Sequence, residues 1–351
     1  MPEPTGPARD PARETVPVAR KVAFLRDPGA YPDHPRRIDV VETHMSWVFL
    51  TDDYAYKLKK PVTWSFLDFG TSAARRFFCE EEVRLNRRLA PDVYLGVAAL
   101  TDEGPRGLAL DGPGVAVDWL VRMRRLPEAG TLKSRIGAGQ VRRPDIVALA
   151  RLLAGFYQKA PVEPIAAEVY VGRIHDTIEE NLAVLSDRRY GVSAELARPV
   201  LAAQQAFLAG AAELFRIRVA AGRIVEGHGD LRPEHVYLGR RPLVTDCLEF
   251  NRAFRIIDPA DELAYLAMEC AFLGAAEIGP WLFETYGAET GDRPPPALIH
   301  FHKSVRAGIR AKISVWHLDD ASGPDPAKWS CLAGRYLTLA GRDMALAQGA
   351  A

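Results

Sequence analysis

The chain has 351 residues, 48% of them hydrophobic, enough to bury a substantial core in one large domain or two lobes. Its 45 Lys and Arg balance 45 Asp and Glu, so net charge gives no argument for binding nucleic acid or an anionic membrane surface. Cys79, Cys247, Cys270 and Cys331 lie far apart with no CxxC pair. That argues against a zinc site or a disulfide framework and for reduced thiols in a cytoplasmic protein.

Residues 1–20 are rich in Pro, Ala and charge with no apolar core of the secretory kind, and are expected to be a disordered leader. No uninterrupted apolar run of about twenty residues marks a membrane span. From Ile38 the chain reads as strands: IDVVE, then SWVFL, an Asp52-Asp53 turn, and YAYKLKK up to Pro61, a hairpin pattern. Ala73 to Leu89 carries Phe77, Phe78, Val83, Leu85 and Leu89 at helical spacing. VYLGVAAL and VAVDWLVRM are two more strands, separated by GPRGLALDGPG. These elements predict a small β-rich N-terminal lobe with one helix over residues 21–125. Residues 126–346 form a larger lobe, with helices expected at Asp145–Lys159, Asp176–Leu185, Ala194–Ala221, Asp261–Leu273 and His300–Leu318. Within it, His228 to Ile257 carries short β-like runs around a turn. RPPPA and SGPDPA read as loops between late helices, and residues 347–351 as a tail.

The densest chemistry is His228-Gly229-Asp230-Leu231-Arg232-Pro233-Glu234-His235, followed by Thr245-Asp246-Cys247-Leu248-Glu249-Phe250. Phosphoryl transfer needs a metal ion to neutralise the transferring phosphate and a carboxylate to orient the attacking hydroxyl. Asp230 and Asp246 have the spacing to supply both from one catalytic loop and the hairpin after it. HGDLRPEH resembles the catalytic loop of aminoglycoside and choline kinases, and also the HRDLKPEN loop of protein kinases. With ETHMSWVFL, YAYKLKKP, FLDFG, RRFFCEEEVRLNRRLAPDVYLGV and DCLEFNRAFRIIDPADELAYL, the resemblance is to a bacterial subfamily of aminoglycoside-phosphotransferase-like proteins of undefined substrate. It runs from about Val22 to Arg310.

That resemblance implies an α+β, bilobal protein-kinase-like fold, ATP and Mg2+ as cofactors, and a small-molecule substrate, with neither nucleic acid nor membrane as partner. Asp230 would be the catalytic base and Asp246 the magnesium ligand, although no Gly follows Asp246 at the usual place. Arg232 sits where protein kinases often carry a Lys facing the γ-phosphate. His235 stands where an Asn normally binds a second magnesium, an ion that prefers oxygen. Either one metal dominates, or Glu234 or Glu249 supplies the missing oxygen, or activity is weak.

In the small lobe, Tyr54-Ala55-Tyr56-Lys57 mirrors the Val-Ala-Ile-Lys strand of kinases. Strand alternation puts Ala55 and Lys57 on one face, where Ala55 would admit adenine and Lys57 would reach the α- and β-phosphates; Lys59 shares that face and competes. Of Glu80, Glu81 and Glu82, Glu82 shares a helix face with Leu85 and Leu89 and is favoured over Glu81 as the lysine's partner. No Gly-rich loop covers the phosphates; Thr43-His44-Met45-Ser46 occupies its place, with Ser46 a candidate contact. The hinge is expected at Arg122–Pro127, with adenine on the backbone near Met123, and Arg124 and Arg125 as a solvated edge.

Asp258 and Asp261 open a helix as ordinary caps, or one of them braces the catalytic loop. Glu249 and Asn251 follow Asp246 closely and face metal or substrate. Arg306 and Arg310, with Lys312, share one face of a late helix: either a solvated face or a cleft wall that attracts an anionic substrate such as a sugar acid. The leading reading is an ATP-dependent small-molecule kinase. A nucleotide-binding pseudokinase with a regulatory role is the alternative, and protein phosphorylation ranks last for want of an APE-like segment.

Overall fold

The computed structural model describes residues 16–64, 66–192, 194–319 and 326–349. They divide into two compact units, one of residues 1–128 with 244–252, the other of residues 129–243 with 253–351. The first fifteen residues of the expected leader and most of the SGPDPA loop lie outside the described residues.

In the small unit, β1 (Asp39–Glu42), β2 (Ser46–Leu50), β3 (Tyr54–Lys59), β6 (Tyr94–Asp102), β7 (Leu108–Leu110) and β8 (Val115–Arg124) form one sheet in the order β1-β2-β3-β8-β6-β7, and a short β4 (Thr63–Trp64) and β5 (Leu67–Asp68) pair separately. The expected hairpin is β2–β3, with Leu50 opposite Ala55 and Val48 opposite Lys57. Along β3, alternation sends Tyr56 and Leu58 into an apolar core with Phe49 and Leu120, and leaves Ala55, Lys57 and Lys59 on the other face. Helix α2 (Ser72–Asn86) starts at Thr71, whose hydroxyl accepts from the Ala74 amide. Its buried side carries Arg75, Cys79, Glu82, Val83 and Leu85, whereas Phe77, expected on the apolar face, is exposed.

Two boundaries move. A helix, α1 (Val18–Leu25), starts inside the expected leader, so this unit holds two helices instead of one. It is anchored because Lys21 reaches Asp118 at 2.8 Å, and the same buried carboxylate takes Arg75 at 2.8 and 2.9 Å. The second change is that residues 244–252 belong to the small unit, not to the helical one.

The helical unit contains α3 (Leu132–Gly137), α4 (Arg143–Lys159), α5 (Ala167–Leu185), α6 (Ala194–Gly210), α7 (Ala212–Ala220), α8 (Pro259–Phe272), α9 (Ile278–Thr290), α10 (Pro296–Trp316) and α11 (Pro326–Gly349). Helix α11 runs to Gly349, through the start of the expected tail. The single helix expected over 194–221 breaks at Ala211, and α3, α9 and α11 add to the expected set. Helix α8 is apolar almost all round, as its burial requires. It packs on α9 and α10, while α10 also lies along α11 and α5, around a core that includes Ile178, Leu201, Met268, Phe301 and Leu337. Strand β10 (Val236–Tyr237) pairs with β11 (Leu243–Val244), the embedded hairpin. Strands β9 (Val225–Glu226) and β12 (Ile256–Ile257) pair antiparallel, with Val225 opposite Ile257. One leads into the HGD loop and the other into α8, so the loop and the start of that helix leave the same ladder.

Candidate functional site

The small unit gathers two lysines and three carboxylates. Lys57 Nζ lies 2.9 Å from Glu82 Oε1 and 2.8 Å from Asp246 Oδ1. Lys59 Nζ lies 2.6 Å from Glu82 Oε2 and bonds Glu249 as well. The two candidate lysines therefore share one glutamate, an oxygen each. Glu82 is fully buried, whereas Glu81 pairs with Arg84 on the outer face of α2. Burial would push the Lys57 ammonium down, but Asp246, Glu82 and Glu249 outweigh it and hold its pKa raised. Burial likewise works against an ionised Glu82, and Lys57 and Lys59 overcome it, leaving that carboxyl lowered. Glu249, buried beside a second carboxylate, is pushed up despite Lys59. Asp246 has φ 63°, in the left-handed region, and its carboxylate is 47% exposed.

In the helical unit the HGD loop is held by its backbone. Glu262, in the first turn of α8, accepts from the His228 amide at 2.9 Å and the Gly229 amide at 2.5 Å, and from the Tyr157 hydroxyl at 2.7 Å. Burial pushes the Glu262 carboxyl up against the pull of these donors. Two glycines are required here. Gly229 has φ 88°, and a Cβ at Gly227 would meet Glu262 Oε2 at 2.8 Å and Ile257 at 2.7 Å. Asp230 follows: Arg232 Nε approaches its Oδ1 and Oδ2 at 2.9 and 3.0 Å, and the Tyr265 hydroxyl donates to Oδ1 at 3.2 Å. Arg232 Nη1 also meets Glu234 at 2.7 Å. Burial would raise the Asp230 carboxyl, yet Arg232, His235, Arg310 and His228 together hold it below the usual aspartate range.

Of the expected site residues, the structure brings together Lys57, Glu82, Asp246 and Glu249 in one unit, and Asp230, Arg232 and His235 in the other. Several expectations are corrected. His235 is bonded within the loop at both ring nitrogens. Its Nδ1 lies 2.9 Å from the Asp230 carbonyl oxygen, which can only accept, so Nδ1 carries the proton and Nε2 accepts from Arg232 Nη2 at 3.3 Å. Glu249 is buried against Lys59 instead of turned to metal or substrate, and Glu234 is paired with Arg232. Arg306 is not a free cation, because it grips Asp261 at 2.7 and 2.8 Å and lies over Tyr265. Arg310 meets Glu269 at 2.8 Å and lies over Tyr336, and Lys312 meets Glu180. The case for an anionic acceptor built on this face is therefore withdrawn.

In the small unit, Ala55 is buried opposite Met123, and Met123 lies between β3 and β6 inside the ladder. The amides of Arg124 and Arg125 donate to the Val93 and Asp53 carbonyls. Ser46 is buried, and its amide donates to Thr43 Oγ1 at 3.0 Å in a turn closed on itself. The loop brace, weighed between Asp258 and Asp261, is Glu262. Asp258 instead caps α8 and takes Arg218 at 2.7 Å through both oxygens. The signal for Glu262 was a third acid in that first turn, one residue and so about 100° round the helix from Asp261.

Among the described residues no group of three or more His, Cys, Asp and Glu is gathered to hold a metal ion. The donor chemistry of Asp246 fits magnesium, a hard ion that takes one or two carboxylates and keeps its waters, whereas the bonded imidazole of His235 does not.

An uncharacterized protein of Mycobacterium tuberculosis strain H37Rv is 36% identical over 279 residues, 79% of this chain and 54% of that protein. An uncharacterized protein of Mycobacterium bovis matches to the same extent. The chain spans about half the length of the curated relatives it matches. No protein-family model matches it. Among solved structures, choline kinase from Cryptosporidium parvum aligns with TM-score 0.53 and 10% identity, over 94% of this chain and 97% of that one. An aminoglycoside phosphotransferase from Alicyclobacillus acidocaldarius aligns with TM-score 0.47 and 12% identity, over 96% and 98%. The fold is thus shared with choline kinase: protein-kinase-like, with a β-rich small unit and a larger helical one.

Proposed function

We propose that this chain is an ATP- and magnesium-dependent phosphotransferase acting on a hydroxyl of a small molecule. The observation that carries the reading is Lys57, bonded at once to Glu82 and to Asp246. A lysine paired with a helix glutamate is what a phosphate-holding lysine requires, and its second partner here, Asp246, is an exposed acid. Lys57 would hold the α- and β-phosphates, and Asp246 would hold magnesium, which supplies charge neutralisation to the phosphates. Asp230 would accept the proton of the acceptor hydroxyl as its oxygen bonds the γ-phosphorus and the bond to ADP breaks. Glu262 would keep that loop in register, and Arg232 would offset charge once it yields Asp230. Catalysis on this reading is positioning and electrostatics.

The balanced net charge gives no argument for nucleic acid as the acceptor. The four free thiols, and the lack of any membrane-spanning helix among the described residues, accord with our placing the reaction in the cytoplasm. One observation favours the pseudokinase alternative: Arg232 and Tyr265 occupy the Asp230 carboxylate. Melting temperature measured with ATP, with magnesium and with both separates these readings from a fold without a nucleotide site, because ligand that binds only the folded state raises it. At a hundredfold excess over Kd the gain is about 2.7 kcal/mol. A shift that needs both, together with slow ADP release, supports the kinase. The same shift without ADP release supports the pseudokinase, and no shift removes both.

A further inference from the structure

We infer that Lys59 and Glu249 are a positioning pair for Asp246, a second ion pair that holds the segment of the metal-binding acid and meets the phosphate-holding Lys57 only through their shared Glu82. The inference rests on the proposed reading only in calling Asp246 a metal ligand.

Asp246 sits in the left-handed region at φ 63°, a backbone state that costs a non-glycine residue on the order of 1 kcal/mol and persists only where neighbours over-determine it. Several such neighbours are on the small unit itself. The Asp246 amide donates to the Tyr94 hydroxyl at 3.0 Å, and the Cys247 amide to Asn86 Oδ1 at 2.9 Å. Asn86 is itself fixed by donating to the Glu82 carbonyl at 2.9 Å. Arg88 Nη2 lies 3.2 Å from Cys247 Sγ. These contacts hold the segment at Asp246 and Cys247, and the Lys59–Glu249 bond closes it three residues after Asp246.

The two lysines thus divide the work. Lys57 is 17% exposed and touches the Asp246 carboxylate, so a phosphate could take it over. Lys59 is wholly buried, and both its partners are internal. It also takes the second oxygen of Glu82 at 2.6 Å, which ties β3, α2 and residues 244–252 together through one ammonium.

The test uses Lys59→Met, Glu249→Gln and the double variant Lys59→Met/Glu249→Met in the full chain. Two readouts are taken: hydrogen exchange of the Asp246 and Cys247 amides without nucleotide, and calorimetric ATP binding against magnesium concentration. Each single variant is expected to speed exchange at those two amides by about tenfold or more. Each should also raise the magnesium concentration for half-maximal ATP binding about tenfold, and Glu249→Gln, which leaves both Glu82 bonds in place, should bind ATP in EDTA as the native protein does. The double variant should be no worse than the worse single, the mark of two residues acting as a unit. Native exchange at both amides in Glu249→Gln overturns the inference even if the melting temperature falls, and Glu249→Gln carries the test alone should Lys59→Met fail to fold. If the native protein binds no ATP while exchange still accelerates, the phosphotransferase reading fails and the pair stands as the brace of this segment.

Discussion

In the small unit the candidate metal ligand, Asp246, is 47% exposed beside a lysine that it shares with Glu82. In the helical unit the candidate base, Asp230, is 22% exposed, with a guanidinium and a phenol on its oxygens and a loop backbone capped by a buried glutamate. The difference follows from the cations. An ammonium is a compact charge on a flexible stem that can exchange one oxygen for another, whereas a guanidinium is a planar fork that fixes the geometry of what it holds. Of the three carboxylates around Lys57 and Lys59, Glu82 and Glu249 are buried and Asp246 is the exposed one. The loop around Asp230 is instead a closed set of donors and acceptors. On the proposed reading both acids exchange a protein cation on binding, Asp246 an ammonium and Asp230 a guanidinium.

The largest expected effect comes from removing each acid in turn. Asp230→Asn should lower turnover on the order of a thousandfold, the middle of what a positioned general base contributes, and leave magnesium-dependent ATP binding within about twofold of native. Asp246→Asn should show the reverse emphasis, weakening ATP binding in magnesium while ATP binding in EDTA is unchanged. Calorimetry and turnover on the same two proteins decide it. Strong residual turnover in Asp230→Asn, or native magnesium dependence in Asp246→Asn, breaks the division of roles.

Glu262 gives the next effect. Glu262→Ala leaves the buried amides of His228 and Gly229 without their acceptor, at about 1–3 kcal/mol for each unsatisfied donor. The melting temperature should fall by several degrees, and turnover should fall while the ATP affinity of the small-unit lysine is kept. Glu262→Gln retains one acceptor oxygen and should recover most of the stability. Equal loss of ATP affinity and turnover in Glu262→Ala would show that the loop is not braced separately.

Glu262 also marks where reading the sequence stopped. The strands, helix α2 and the alternation that faces Lys57 and Lys59 one way follow from residue pattern, as does the choice of Glu82 by its helix face, while spacing and the resemblance together pointed to Asp230 and Asp246. That Glu262, not Asp258 or Asp261, meets the loop depends on β9 and β12 pairing, a contact between residues about thirty apart that no local pattern encodes. The same holds for Arg306 and Arg310, whose spacing was read correctly as one helix face. Whether that face is solvent, cleft or ion pair is decided by Asp261 and Glu269 on another helix. Helix α1 was missed because its anchor, the Lys21 bond to Asp118, spans 97 residues.

The smallest expected effect is a displacement along the pH axis. Burial works to raise the Asp230 carboxyl, and Arg232 is the foremost of the charges that hold it low. A carboxyl lowered in the folded protein is ionised above its ordinary range of about 4 and loses that ionisation only as pH falls through its lower folded value. Activity that depends on ionised Asp230 should therefore persist below about pH 4 before its acid limb, wherever the fold itself survives. Arg232→Gln removes the foremost opposing charge while keeping a donor near the carboxylate, so the acid limb should move up by roughly one pH unit, as loss of a close opposite charge does. Turnover is followed from pH 3 to 8 in both proteins, with circular dichroism at each point to exclude unfolding. A limb that stays in place while turnover falls evenly at every pH would mean that Arg232 acts on the transferring phosphate and not on the base.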